Sequence, residues 1–107
     1  MAKSKIETFL GFCIKANQIA FGVNTIELLK KGVHLIVACS SVSDNGKKAA
    51  IKLKNKFNCP LIICNCNLES VLHKNGVKTV AIKDKNLADA IIKNVDDNFE
   101  LYTEGLN

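Results

Sequence analysis

Five cysteines, two histidines and a few carboxylates are the residues here with chemistry to offer, and their spacing decides what kind. Cys59, Cys64, Cys66 and His73 are all zinc-ligand types in one short stretch. A structural zinc site, however, is assembled from paired C-x₂-C knuckles, and a C-x-C beside an apolar run lacks them. A catalytic cysteine needs a base close by, but His34 and His73 both stand in contexts typical of surface or turns. No G-x-G-x-x-G, P-loop or Ser-His-Asp arrangement is present. Asp44, Glu69 and Asp84 follow apolar runs, where α/β enzymes often place their sites. They also stand at helix starts, where capping accounts for them. The expectation is a protein without catalysis, cofactor, metal or small-molecule substrate. The cysteines are odd in number and mostly lie inside apolar runs, which suits small buried hydrophobes in a reducing compartment.

Charge points elsewhere. All 15 basic residues are lysines, and they all precede residue 96, whereas Asp96, Asp97, Glu100 and Glu104 follow with no base among them. Residues 1–95 hold 15 lysines against six acids, a net of +9, while the whole chain carries +5. Such a body suits a polyanionic partner. Lysine is a point charge for phosphates, whereas paired reading of base edges favours arginine. Selectivity in a nucleic-acid complex must then come from side-chain amides, backbone groups and shape.

The elements that would position these residues follow from periodicity. Ser4 and Glu7 make a capping box, after which Ile6, Phe9, Leu10, Cys13 and Ile14 repeat at three and four along one helix face. Asn17 suits the left-handed position that ends it. Ile19–Phe21 is a short strand closed by Gly22 and suited to antiparallel pairing at an edge. Asn24 caps a short helix running to Lys31 and Gly32. Leu35–Cys39 is a continuous apolar strand, residues 60–64 are another buried strand, and residues 77–82 give the last one. Helices capped by Ser43 or Asp44, by Asn67, and by Asp84 or Asn86 lie between and after them. Continuous apolar strands alternating with helices predict an α/β fold. It is a three-layer α/β/α sandwich around a four-stranded, mixed but mainly parallel sheet with about five helices. Residues 1–95 form the single domain. Residues 96–107 read as an acidic tail with too few apolar residues to promise order; if that tail covers the basic surface, deleting it tightens binding of a polyanion at low salt. No apolar run reaches the roughly 18 residues of a membrane span, and the residues after Met1 are not a secretory block, so a cytoplasmic location is expected.

The stretch Leu10-Gly11-Phe12-Cys13-Ile14-Lys15-Ala16-Asn17-Gln18-Ile19-Ala20-Phe21-Gly22 resembles L-G-x-A-x-R-A-G-K-[LV]-x-x-G without a gap. That pattern opens the bacterial, YlxQ-like branch of the kink-turn-binding ribosomal-protein family, the L-seven-Ae / L-thirty-e group. Leu35 to Ser41 is similar to the family's K-L-V-L-L-A-E strand, and Ser43 to Lys48 to its D-A-S-x-N-T-x-K-K helix start. Asn58-Cys59-Pro60 resembles N-I-P, and Val80 to Asp84 resembles V-A-I-x-D. Together these cover residues 5–94 in the family's order. The resemblance implies a four-stranded α/β/α sandwich that recognises structured RNA within a ribonucleoprotein.

Kink-turn binders carry G-x-N-E-x-x-K after the first strand. Here Gly22-Val23-Asn24 keeps G-x-N, while Thr25 stands in place of the Glu and Leu28 in place of the Lys. A helix N-terminus favours phosphate, and an exposed amide side chain can hydrogen-bond the edge of a splayed purine. Asn24 as a plain helix cap is the competing role. The family's second RNA contact is the loop before the last strand, here Leu72-His73-Lys74-Asn75-Gly76. The resemblance therefore implies an RNA surface of Lys15, Gln18, Gly22, Val23, Asn24, Thr25, Lys30, Lys31, His73, Lys74 and Lys78. RNA, ribosomal or otherwise structured, is the expected partner, bound by a monomer or weak homodimer. The alternative is a protein-interaction or self-associating module on the same fold with a degraded RNA site.

Overall fold

A computed structural model describes residues 5–103; the capping role of Ser4 lies outside them. In chain order the elements are α1 (Lys5–Lys15), β1 (Ile19–Phe21), α2 (Val23–Glu27), β2 (Leu35–Cys39) and α3 (Asp44–Phe57). They continue with β3 (Leu61–Cys64), α4 (Leu68–Leu72), β4 (Thr79–Ile82), α5 (Lys85–Lys93) and β5 (Phe99–Leu101). The strands form one mixed sheet in the order β1-β4-β2-β3-β5.

Side chains alternate across each strand, and both faces of the sheet are covered. Leu35, Val37 and Cys39 face one cluster with Ile6 and Leu10 of α1, Leu68 of α4 and Ile91 of α5. Ile36 and Ala38 face the other, with Ile26 of α2 and Ala50 and Leu53 of α3. All of β2 and β4 is buried, which is why β2 and Val80–Ile82 of β4 run apolar without alternation, Thr79 being the one buried polar residue among them. The local stops obey their chemistry. Asn17 adopts φ 57° after α1, and Ser43 caps α3 by accepting from the Gly46 amide. Asn67 caps α4 and Asp84, rather than Asn86, caps α5.

Three expectations need correction. First, over the described residues the sheet has five strands, not four. Second, it is not mainly parallel: only β2 and β3 run parallel, in register from Ile36 opposite Leu61 to Cys39 opposite Cys64. β4 runs antiparallel to both β1 and β2, and β5 antiparallel to β3. A continuous apolar strand reports cover on both faces, and β4 obtains that cover while reversed. β1 does sit antiparallel at an edge, as its length suggested. Third, the domain does not stop at residue 95. The Asp96 carboxylate accepts from the amides of Asn98 and Phe99, turning the chain so that β5 lies along β3. Phe99 is completely buried. Over its described residues the acidic segment thus forms the edge opposite β1.

Candidate nucleic-acid interface

β1, β2 and β3 share one direction, and β4 and β5 the other. The turns that leave the first three strands and enter the last two therefore gather at one end of the sheet. On the β1-β4-β2 side of that end lies an open cleft of about 270 Å³. Gly22 and Val23 line it from the turn into α2, and Val42, Ser43 and Gly46 from the start of α3. Gly76, Lys78 and Thr79 line it from the entry to β4.

Gly22 is fixed by backbone geometry. Its amide donates to the Thr79 carbonyl at 2.8 Å, tying β1 to β4, and it adopts φ 87°, ψ 143°. A Cβ there would meet nothing within 4 Å, so the glycine answers to the dihedral angle and not to crowding. Gly22→Ala is expected to lower stability by about 1 to 3 kcal/mol, the cost of placing a side chain in that region, read by urea denaturation.

Gly22 is itself the N-cap of α2, and no side chain caps that helix. Asn24 therefore does not cap. It sits in the first turn, exposed together with Thr25, with its amide unengaged by the described residues. Helix α2 also ends four residues earlier than expected, at Glu27, because its last turn tightens: the Leu28 amide bonds Thr25 and the Leu29 amide bonds Ile26.

That shortening divides the expected site. Lys30 and Lys31 belong to the connection into β2, at the opposite end of the sheet, where they line a separate hollow with His34 and Asn58 to Pro60. Lys15 ends α1 and Gln18 precedes β1, its carbonyl accepting from the Lys83 amide, again at that far end. Gln18 and Gly22 are separated by about 13 Å of extended chain. The cleft end keeps Gly22, Val23, Asn24, Thr25, Lys74 and Lys78. The Lys74 ammonium lies 4.8 Å from the centre of the Phe21 ring, beside Gly22. Lys78 donates to the Ser41 hydroxyl at 3.3 Å and pairs with Glu69 at 3.7 Å, so part of its charge is already met. Glu69 also accepts from the Gly76 amide, bracing the loop. His73 takes a left-handed conformation, φ 57°, at the end of α4 and is exposed on the same loop.

Sequence reasoning did not assign Val42, Ser43, Gly46 or Thr79 to the site, nor the exposed Lys47 and Lys48 that follow Gly46. The signal was present in Ser43 to Lys48, which reads as a helix start and supplies one wall of the cleft as well.

A second cleft adjoins the first through Lys78 and is lined by Cys39, Ser41, Asn65, Cys66, Asn67 and Glu69 among others. Burial acts to raise the Cys39 thiol. Hydrogen bonds from Ser41, backbone groups of Leu68 and Ser41, and the charge of Lys78 outweigh it and bring the thiol below its ordinary value. Among the described residues, no group of three or more His, Cys, Asp or Glu side chains is arranged to hold a metal ion. No described helix is long and apolar enough to cross a membrane.

No family model matches the chain, and no curated protein matches it. The solved structure of a protein with unknown function from Bacillus halodurans C is similar in fold. Its TM-score is 0.71, covering 85% of this chain and 96% of that one at 18% identity.

Proposed function

We propose that this protein binds structured RNA without catalysis, as a cytoplasmic ribosomal or ribosome-associated member of the kink-turn-binding family. The observation that carries the proposal is the meeting of three segments at one cleft. These are the G-x-N turn, the Ser43–Lys48 helix start and the loop before β4, the segments for which the family resemblance implies RNA contact or a shared motif. Exposed Lys47, Lys48, Lys74 and Lys78 supply phosphate contacts around it. Asn24, released from capping, supplies the amide that can address a base edge exposed by a sharp bend. Thr25 in place of a Glu and Leu28 in place of a Lys leave Asn24 as the main polar reader on α2.

A gel shift comparing a kink-turn RNA with a straight duplex of equal length tests this. The kink-turn should bind roughly tenfold tighter, the equivalent of about 1.4 kcal/mol, and Asn24→Ala should remove most of that preference without altering stability. Equal affinity for the two RNAs sinks kink-turn recognition. Binding to neither, at low salt, sinks RNA binding altogether.

A further inference from the structure

All five cysteines are free thiols; four are buried, and Cys66 alone is half-buried. Cys64 ends β3, and two residues later the chain bends at Cys66 on its way to α4. The bend brings the Cys64 and Cys66 sulfurs to 3.2 Å. Cys39, opposite Cys64 in the parallel pair β2/β3, completes a thiol cluster. The Cys66 carbonyl accepts from the Cys64 thiol at 3.3 Å and from the Cys39 thiol at 3.4 Å. Neither the fold nor the RNA surface requires two sulfurs in contact at the wall of a cleft.

We propose that Cys64 and Cys66 form a reversible dithiol–disulfide site that takes a low-molecular-weight disulfide as its oxidant. Cys66 is the entry point because it is half-buried on the cleft wall, whereas Cys39, which lines the same cleft, is only 4% exposed and Cys64 is fully buried. Its thiolate attacks one sulfur of R–S–S–R, forming a Cys66–S–S–R bond and releasing RS⁻, which takes up the proton that Cys66 lost. Cys64 then gives its proton to the second departing thiolate as its sulfur attacks Cys66 Sγ. The Cys64–Cys66 bond forms and the mixed disulfide breaks. Two protein thiols and one R–S–S–R become one protein disulfide and two RSH, with electrons and protons balanced.

Proximity selects the partner. Closing from 3.2 Å to the roughly 2.05 Å of a disulfide needs about 1 Å of movement, and Cys66 is the half-buried partner, at the bend. Burial, reinforced by the hydrogen bond with Cys66, pushes the Cys64 thiol up to about 12, so Cys64 resolves a mixed disulfide but does not start one. Burial likewise raises Cys13 and Cys59 to about 11, keeping both out of the exchange. A ring closed across a single intervening residue, Asn65, is strained, and strained disulfides are the readily reduced, labile ones. The site is independent of whether RNA occupies the neighbouring cleft.

The test treats the reduced full chain with oxidised glutathione at pH 8, quenches with acid, and maps the cysteines by mass spectrometry. The expected product has lost two hydrogens, with the bond inside the peptide carrying Cys64 and Cys66, and it returns to the dithiol with dithiothreitol. Cys66→Ser should take up no glutathione while keeping its circular dichroism spectrum. Cys64→Ser should stall with glutathione on Cys66, and Cys39→Ser should still close the ring. A wild-type protein that stalls as the mixed disulfide, forms a Cys39–Cys66 bridge, or stays reduced overturns the proposal.

Discussion

Phe99→Ala is expected to lower the free energy of unfolding by about 3 to 5 kcal/mol, the range for deleting a buried aromatic side chain. The ring is fully buried in the cluster that joins α1, α4 and α5 to the sheet. It is also the one inward side chain of β5, whose other two residues are exposed. Its loss leaves a cavity at the edge of the sheet and removes what holds β5 on β3, so the hydrogen bonds from the Tyr102 amide to Leu61 and from the Asn65 amide to Asn98 loosen with it. Small domains hold about 5 to 15 kcal/mol in total, and each kcal/mol is worth roughly 4 to 8 °C in melting temperature at this size. Leu101→Ala is the matched control. That side chain is 42% exposed, and its truncation should cost under about 1 kcal/mol by the usual behaviour of surface sites. Urea denaturation of the two variants separates the cases. Equal small losses would mean that β5 is not part of the folded unit. Deleting residues 96–107 then cannot simply unmask a basic surface, because it removes Phe99 from the core.

The history of that strand shows which parts of the fold a sequence displays. Helix ends are local events, so Asn17, Ser43, Asn67 and Asp84 announce them through side-chain chemistry that acts within a few residues. Strand existence is nearly as local: Leu35–Cys39 is apolar at every position because both faces are covered. Strand direction is not local, since cover on both faces leaves the same trace in β2 and in the reversed β4. β5 leaves almost none, with one inward phenylalanine amid Asp96, Asp97 and Glu100. The cleft was legible in its individual parts, the G-x-N turn and the loop before β4, but not in its membership. Assigning Lys30 and Lys31 to it required α2 to continue to Gly32, and the tightened turn at Leu28 and Leu29 ends it sooner. Conversely, the contribution of Lys47 and Lys48 depends on β2 delivering α3 to the same end as β1 delivers α2. The thiol pair was hidden for a similar reason. C-x-C in an ideal strand places two sulfurs on one face but apart, and the bend at Cys66 brings them together.

Charge at the cleft should govern RNA affinity far more than charge elsewhere. Replacing Lys47, Lys48, Lys74 and Lys78 together by alanine is expected to weaken binding to structured RNA by roughly a hundredfold at 0.1 M salt. It should also flatten the dependence of log affinity on log salt by about three units, since each phosphate contact contributes about 0.7 to 0.9. The control is the triple variant of Lys15, Lys30 and Lys31, which lie at the far end of the sheet. The five-residue strand β2 separates the two ends by about 17 Å, beyond the screening length of about 10 Å at 0.1 M salt. The control should therefore keep both the affinity and the slope of the wild type. All seven lysines are exposed, so both variants should fold, and the comparison turns on position alone at nearly matched charge. The loss of Lys78 has a second consequence, because its ion-pair partner Glu69 then keeps only the Gly76 amide opposite its carboxylate beside the cleft. Adding Glu69→Gln to the quadruple variant should recover a little affinity while leaving the flattened slope, since it removes a repulsion without restoring a phosphate contact. Fluorescence anisotropy titrations across a salt series read all of these quantities. If the Lys15, Lys30 and Lys31 variant flattens the slope and the quadruple variant does not, the RNA surface is the hollow beside His34, at the opposite end of the sheet.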